Sequence, residues 1–296
     1  MTRLTGPARI AVVSVLALGL VAAAPVALAV KHARFEHARS KAHAAIIGGA
    51  PAELGAFPSL AFIVNFQGKQ IYQCTGTVVA PSLVLTAGHC VESLATGTVY
   101  KSSGFRVETG AVDWSTAEGH ESTVLGVIPY PGFVRSLDVG DAALLVLSAP
   151  VTAPAVTLAA QGRSSLLEAG TTATVAGWGK TSFNQRTFTK ALNFAPTVVQ
   201  ANSWCERNAP PFFSKGELCA ITPPKYSTGA CSGDSGGPLL APGPTEGETV
   251  EVGVTVHGYG PCSTRRPTVY TRVDAIAGWV STWVDAYNQP TGPRPH

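Results

Sequence analysis

Ser235 lies in Gly233-Asp234-Ser235-Gly236-Gly237-Pro238, where glycines on both sides leave the main chain free to turn its N–H groups toward one point. A hydroxyl that attacks a carbonyl needs such surroundings, because nearby N–H donors must meet the oxyanion that forms. The hydroxyl is a weak nucleophile until a base takes its proton, and imidazole titrates near neutrality. Residues 46–296 hold four histidines, His89, His120, His257 and His296. His89 follows the apolar run Leu83–Thr86 and adjoins Cys90, so a strand and a disulfide could both fix it. A buried carboxylate must then hold the ring in one tautomer and stabilise its charged form. Asp113, Asp138 and Asp141 lie between His89 and Ser235. Asp141 heads the apolar run Ala142–Leu147, which would carry it to the edge of a core, whereas Asp113 and Asp138 stand in polar loop contexts and read as solvated.

The elements that must position these groups are mostly short β-type runs separated by Gly, Pro, Ser and Thr, among them Leu60–Phe66, Thr75–Ala80, Leu83–Thr86, Ala142–Leu147, Thr172–Gly177 and Val250–Val256. Many short strands with almost no helical periodicity predict an all-β barrel or sandwich. The exception is at the end, where Ile276, Trp279, Val280, Trp283 and Val284 recur on one face of a helix with Asp274 as its N-cap. Residues 241–249 read as an exposed connection and residues 288–296 as a frayed tail.

The chain has 296 residues, 45% of them apolar and 13% charged, which excludes disorder for its bulk. Six of its 21 basic residues and one of its 18 acidic residues precede Ile46, leaving residues 46–296 at 15 against 17, a net charge of −2. No electrostatic case for nucleic acid as a partner follows. Arg3 and Arg9 precede an apolar stretch ending in Ala27-Leu28-Ala29, the small-x-small pattern of a signal peptide over residues 1–29. The rival reading is a retained membrane anchor, since residues 10–30 are uncharged. Residues 30–45 are basic and rich in His and Ala, and read as a linker or a propeptide. Six cysteines, Cys74, Cys90, Cys205, Cys219, Cys231 and Cys262, in an exported chain without a C-x-x-C pair point to three disulfides, with 15 pairings open.

Taken together, these residues resemble the chymotrypsin-like, trypsin-fold serine peptidases, with the order His, Asp, Ser. The resemblance rests on Ile46-Ile47-Gly48-Gly49, Thr86-Ala87-Gly88-His89-Cys90, Asp141-Ala142-Ala143-Leu144-Leu145, Gly177-Trp178-Gly179, residues 233–238 and Val269-Tyr270-Thr271-Arg272-Val273. It implies two packed antiparallel six-stranded β-barrels, about 46–160 and 161–272, and a C-terminal helix at about 274–287. It implies His89 as general base and acid, Asp141 as its orienting carboxylate and Ser235 as nucleophile, with the N–H groups of Gly233 and Ser235 as oxyanion hole. It also implies the pairings Cys74–Cys90, Cys205–Cys219 and Cys231–Cys262. Finally, it implies a zymogen in which a cut before Ile46 frees an α-amino group to pair with Asp234, which makes residues 30–45 a propeptide.

The pocket for the side chain before the scissile bond would be formed by Gly229, Ala230, Ser232, His257, Gly258 and Thr268. Trypsin-like members have aspartate at its floor; Gly229 stands here, so a buried basic side chain would have no partner. Thr268 should shorten the pocket and favour small to medium apolar residues. Ala45 itself would fit, which makes self-processing conceivable beside an activating protease. Val256 replaces a serine that usually donates to the triad carboxylate, and His257 replaces a tryptophan. Ala111 occupies the place of one carboxylate ligand in the calcium loop of some relatives, so no metal is expected, and no cofactor is implied. The expected protein is a secreted, extracellular, monomeric endopeptidase acting on proteins or peptides; the alternative is a catalytically silent binding module on the same fold.

Overall fold

The computed structural model describes residues 46–160, 164–182, 184–260 and 262–288. The expected signal peptide, propeptide and all of the tail beyond Asn288 lie outside them. Strand β1 (Ala50–Pro51) precedes a ring of six: β2 (Leu60–Gln67), β3 (Gln70–Ala80), β4 (Leu83–Thr86), β5 (Phe105–Thr109), β6 (His120–Pro129) and β7 (Ala143–Leu147). They close antiparallel in the order β2-β3-β4-β7-β6-β5. β5 alternates buried and half-buried residues, as a strand with one wet face should, while all five residues of β7 are buried.

The second half contains β8 (Thr157–Leu158), β9 (Thr172–Gly177), β10 (Asn193–Val199), α1 (Asn202–Asn208), β11 (Glu217–Ile221), β12 (Pro238–Pro242), β13 (Thr249–His257), β14 (Thr268–Arg272) and α2 (Val273–Asn288). Six of these strands close a second ring, β9-β10-β11-β14-β13-β12, because β9 pairs with both β10 and β12. The expected pair of six-stranded antiparallel barrels is therefore the architecture. Outside the rings, β1 pairs with β10 and β8 lies parallel to β13, so the chain entering the first barrel and the chain leaving it are both strapped to the second.

Three local expectations are corrected. Asp274 lies inside the first turn of α2, and its carboxylate accepts from Arg272 Nε at 3.0 Å and Nη2 at 2.7 Å instead of capping the helix. Ala241 is a buried residue of β12, and β13 begins at Thr249, so the connection is confined to residues 243–248. The helix α1 is a second helix; its Cys205 is bonded to Cys219 in β11, which holds a seven-residue helix too short to stand alone. The apolar face of α2 packs as its periodicity predicts, with Ile276 and Val280 buried and Trp279 edge-on to Tyr130.

Glu251 of β13 is 0% exposed in the seam between the barrels. Thr77 of β3 donates to its Oε2 at 2.7 Å, and Oε1 has no partner among the described residues. Burial pushes its carboxyl up to about 8, against a smaller downward pull from Thr77. The folded chain thus holds a proton that the unfolded chain releases at about 4.5, so this group's contribution to stability falls as pH rises between those values. Glu251→Gln should remove that slope. Thermal unfolding at pH 5 and pH 9 is expected to show the variant gaining on the parent by on the order of 3 kcal/mol across the interval.

Candidate active site

His89 sits in a single 3-10 turn, Gly88–Cys90, that follows β4. Asp141 precedes β7. Because β4 and β7 pair antiparallel with Thr86 opposite Ala143, the continuation of one strand lies beside the approach to the other. Asp141 is 0% exposed and meets His89 at two points. The main-chain N–H of His89 donates to Oδ1 at 2.8 Å, and Nδ1 lies 2.6 Å from Oδ2. That contact makes Nδ1 the protonated nitrogen and leaves Nε2 as a free acceptor. Burial pulls the His89 imidazole down, but the charge and hydrogen bond of Asp141, with a smaller push from Asp138, outweigh it, so its pKa lies above the ordinary value. Thr271 Oγ1 of β14 donates to the Asp141 carbonyl at 2.9 Å, which anchors the carboxylate's main chain to the second barrel.

The segment carrying Ser235 is laced into the same seam. The Thr75 N–H of β3 donates to the Ser235 carbonyl at 2.8 Å, and Thr75 Oγ1 donates to the Gly233 carbonyl at 2.9 Å. Cys90, the residue after His89, places its sulfur 3.7 Å from the Ser235 carbonyl oxygen, and Ser235 itself is half-exposed. The histidine turn and the serine segment therefore adjoin. A Cβ on Gly233, whose φ is +101°, would stand 2.9 Å from the Gly179 Cα, so conformation and space both require glycine. The Asp234 N–H is committed to the Cys231 carbonyl and the Gly236 N–H to the Thr255 carbonyl. Among the described residues the N–H groups of Gly233 and Ser235 have no partner, which leaves two donors beside the serine.

Asp234 is fully buried, and its carboxylate accepts from the Gly179 N–H at 2.8 Å and the Cys231 N–H at 2.9 Å. A side chain at Gly179 would collide with this carboxyl group, which explains the glycine after Trp178. Burial pushes Asp234 up to about 7 against the pull of those two amides. Ile46 is also fully buried, and its neighbour Ile47 exchanges two main-chain bonds of 3.2 Å with Gly229 on the segment that leads to Asp234.

The disulfides are Cys74–Cys90, Cys205–Cys219 and Cys231–Cys262. The first ties β3 to the histidine turn and closes a loop worth ~3 kcal/mol in chain entropy. Of the residues expected to line the pocket, Gly229, Ala230 and Thr268 are buried, Ser232 is exposed at the rim, and His257 and Gly258 are half-buried. The Ala230 N–H donates to Thr268 Oγ1 at 3.3 Å, bridging the two walls, and a Cβ on Gly258 would lie 3.2 Å from the Ala230 carbonyl oxygen. β13 bulges between Thr255 and His257, and the buried Val256 side chain has no donor to offer; among the described residues the Asp141 carboxylate takes its donors from His89 alone.

Asp138 lies in a loop with a partly solvated side chain, but not as an isolated surface acid. Its side chain is 37% exposed and lies 3.8 Å from His257 Nδ1, on a turn where Asp138 itself takes φ +56°. No motif pointed to it; the signal available was a non-glycine acid two residues ahead of Gly140 and three ahead of Asp141 in a tight connection. Asp113 also lies in a loop, with a carboxylate that accepts from the N–H and hydroxyl of Ser115.

The family model described as Trypsin matches residues 46–280. The chain is 34% identical to Trypsin-1 of Astacus astacus over 79% of its own length and 98% of the relative's. It is 27% identical to Trypsin delta of Drosophila melanogaster, covering 79% and 87% of the two chains, and 32% identical to Serine protease 56 of Mus musculus, covering 83% and 40%. The double barrel and these matches agree: the chain belongs to the trypsin family and is a chymotrypsin-like serine endopeptidase.

Proposed function

We propose that this endopeptidase acts through Ser235, His89 and Asp141 and prefers a small or medium apolar residue before the scissile bond. The observation that carries the assignment is the doubly bonded His89–Asp141 pair next to a serine flanked by two uncommitted N–H donors. His89 Nε2 takes the hydroxyl proton as Ser235 attacks the peptide carbonyl, and Asp141 stabilises the resulting imidazolium. The N–H groups of Gly233 and Ser235 hold the oxyanion, each worth on the order of 10²–10³ in rate. His89 then protonates the leaving amine, and water hydrolyses the acyl-enzyme by the same steps in reverse order.

Activation follows a cut between Ala45 and Ile46, with residues 1–29 removed as a signal peptide, residues 30–45 released as a propeptide, and the mature enzyme acting outside the cell as a monomer. The export reading is supported by three disulfides. The substrate preference is supported by the absence of a carboxylate at Gly229 and by the Thr268–Ala230 bridge across the pocket. Cleavage of a mixed peptide library by the activated chain tests both together. Ala, Val or Leu before the cut is expected, and Thr268→Gly should raise kcat/KM for Phe relative to Ala by about 10-fold. Dominant cleavage after Arg or Lys would overturn the preference, and a mature protein left unlabelled at Ser235 by a fluorophosphonate would overturn the catalytic assignment.

A further inference from the structure

The turn that follows β1 stands open to solvent. Glu53, Leu54, Gly55 and Ala56 are all exposed, and Leu54, at 64%, is the most exposed of the large apolar residues described. The one hydrogen bond within the turn runs from the Ala56 N–H to the Glu53 carbonyl at 3.0 Å; among the described residues the main-chain groups of Leu54 and Gly55 have no partner. Gly55 takes φ +82°, and a Cβ placed on it would meet nothing within 4 Å. Other exposed apolar residues are held more firmly. Phe66, Ile71, Tyr72 and Leu125 lie within β2, β3 and β6. Leu94 sits in a loop closed by the Gly97 N–H on the Ser93 carbonyl and the Ser93 N–H on the Thr98 carbonyl, and Val134 and Leu137 lie in a loop closed by the Val134–Val139 bridge. A peptidase must draw a stretch of chain into its cleft, so cuts fall where the main chain is exposed and unbonded.

The segment ahead of this turn gives a cut there its effect. Residues 46–54 hold to the molecule through the fully buried Ile46, the two 3.2 Å bonds between Ile47 and Gly229, the pairing of Ala50 with Phe194 and Pro51 with Asn193, and the Ala52 N–H on the Leu192 carbonyl at 2.9 Å. The segment contains no cysteine, so no disulfide retains it. These contacts suffice while it is tethered, because a covalently attached segment is present at high effective concentration. A cut after Leu54 would make residues 46–54 a separate peptide. Dilution would then remove it, together with the Ile46 ammonium that pairs with Asp234.

We propose that the bond between Leu54 and Gly55 is a self-cleavage site, at which one activated copy of this chain switches off another. The inference rests on the activation before Ile46 and the apolar preference proposed above, and adds a second cut that undoes the effect of the first. Ser235 of one copy attacks the Leu54 carbonyl of the other, and the C–N bond breaks as His89 protonates the Gly55 nitrogen. Water then hydrolyses the acyl-enzyme, leaving a carboxylate on Leu54 and an ammonium on Gly55. The enzyme thereby limits its own lifetime, and the limit tightens with its concentration.

Incubating the activated chain at a low and a high concentration, with sampling for activity, mass and new amino termini, tests it. The fraction of activity lost per hour is expected to rise with concentration, as a terminus at Gly55 and the peptide Ile46–Leu54 appear. Leu54→Asp puts a charge where the pocket takes an apolar side chain; it should keep the initial kcat/KM and slow the loss by about 10-fold or more. Synthetic Ile46–Leu54 peptide added to the nicked, diluted enzyme should restore activity, and the same peptide acetylated at its amino end should not. Loss at the parent rate in Leu54→Asp, nicking that begins at another bond, or full activity in the nicked and diluted chain would each overturn the proposal. Pancreatic elastase added to the Ser235→Ala chain, which cannot cut itself, reads the openness of the turn apart from this chain's own preference. Gly55 is expected as the first new terminus, and a first cut elsewhere would overturn the site. A Ser235 that takes no fluorophosphonate would instead overturn the catalytic assignment, and self-cleavage with it.

Discussion

Ser235→Ala is expected to lower kcat by about six orders of magnitude while KM changes little, because the variant keeps the pocket and the oxyanion donors and loses only the group that forms the acyl-enzyme. Asp141→Asn tests the other end of the relay. The carboxylate accepts twice from His89, and an amide in its place offers only one acceptor oxygen, so it can satisfy the main-chain N–H or the ring but not both. The amide's NH2 would then favour the tautomer with the proton on Nε2, which cannot accept from the serine. A loss of about 10⁴ in kcat is expected. The Ser235→Ala, Asp141→Asn double variant should be no slower than Ser235→Ala alone, because the residues act as one unit. Burst-phase measurement with an activated ester reads all three variants; a Ser235→Ala variant with a normal burst would end the assignment.

The second large effect concerns Asp234. Its two hydrogen bonds come from main-chain amides, and its pKa of about 7 reflects a buried charge still short of compensation. A freed Ile46 ammonium reaching this carboxylate would supply the missing charge and draw the pKa down. Cutting before Ile46 should therefore stabilise the chain most above pH 7, where the uncut form bears the full cost of an ionised Asp234, until the ammonium itself loses its proton near pH 8. Asp234→Asn cannot make that pair. It is expected to lose at least 10³ in kcat/KM after cutting, because the Gly233 and Ser235 donors on either side are no longer held. Calorimetry should show the variant folded with a Tm close to that of the uncut parent. Full activity in a chain with the bond before Ile46 intact would refute the coupling.

Much of this site was legible before any coordinates. His89, Asp141 and Ser235 each stand at the end of a short apolar run or inside a glycine-rich turn, and those local signals survive folding because the strands behind them are buried on both sides. Asp138 and Asp141 are separated by only two residues, Val139 and Gly140, yet the first keeps an exposed side chain and the second is buried, as their polar and apolar flanks suggest; the contact of Asp138 with His257 was not legible. Glu251 was equally hidden. In Val250-Glu251-Val252-Gly253-Val254 the alternation reads as one dry and one wet face, and nothing local reveals that the other barrel covers the wet one. α1 escaped notice because seven residues are too few for a 3.6-residue period to declare itself, and its position depends on a disulfide partner 14 residues away.

The straps β1 and β8 have a consequence for how the molecule can be divided. Each pairs a short strand flanking the first barrel with a stretch of a second-barrel strand, Asn193–Phe194 of β10 or Val250–Glu251 of β13, that the ring neighbour on that side does not reach. A fragment cut between the rings would uncover those two stretches of the second barrel and leave their main-chain groups unpaired. Neither half is then a module that evolution or an engineer could transplant alone, and assembly must wait for contacts between distant stretches of chain, which makes for slow folding.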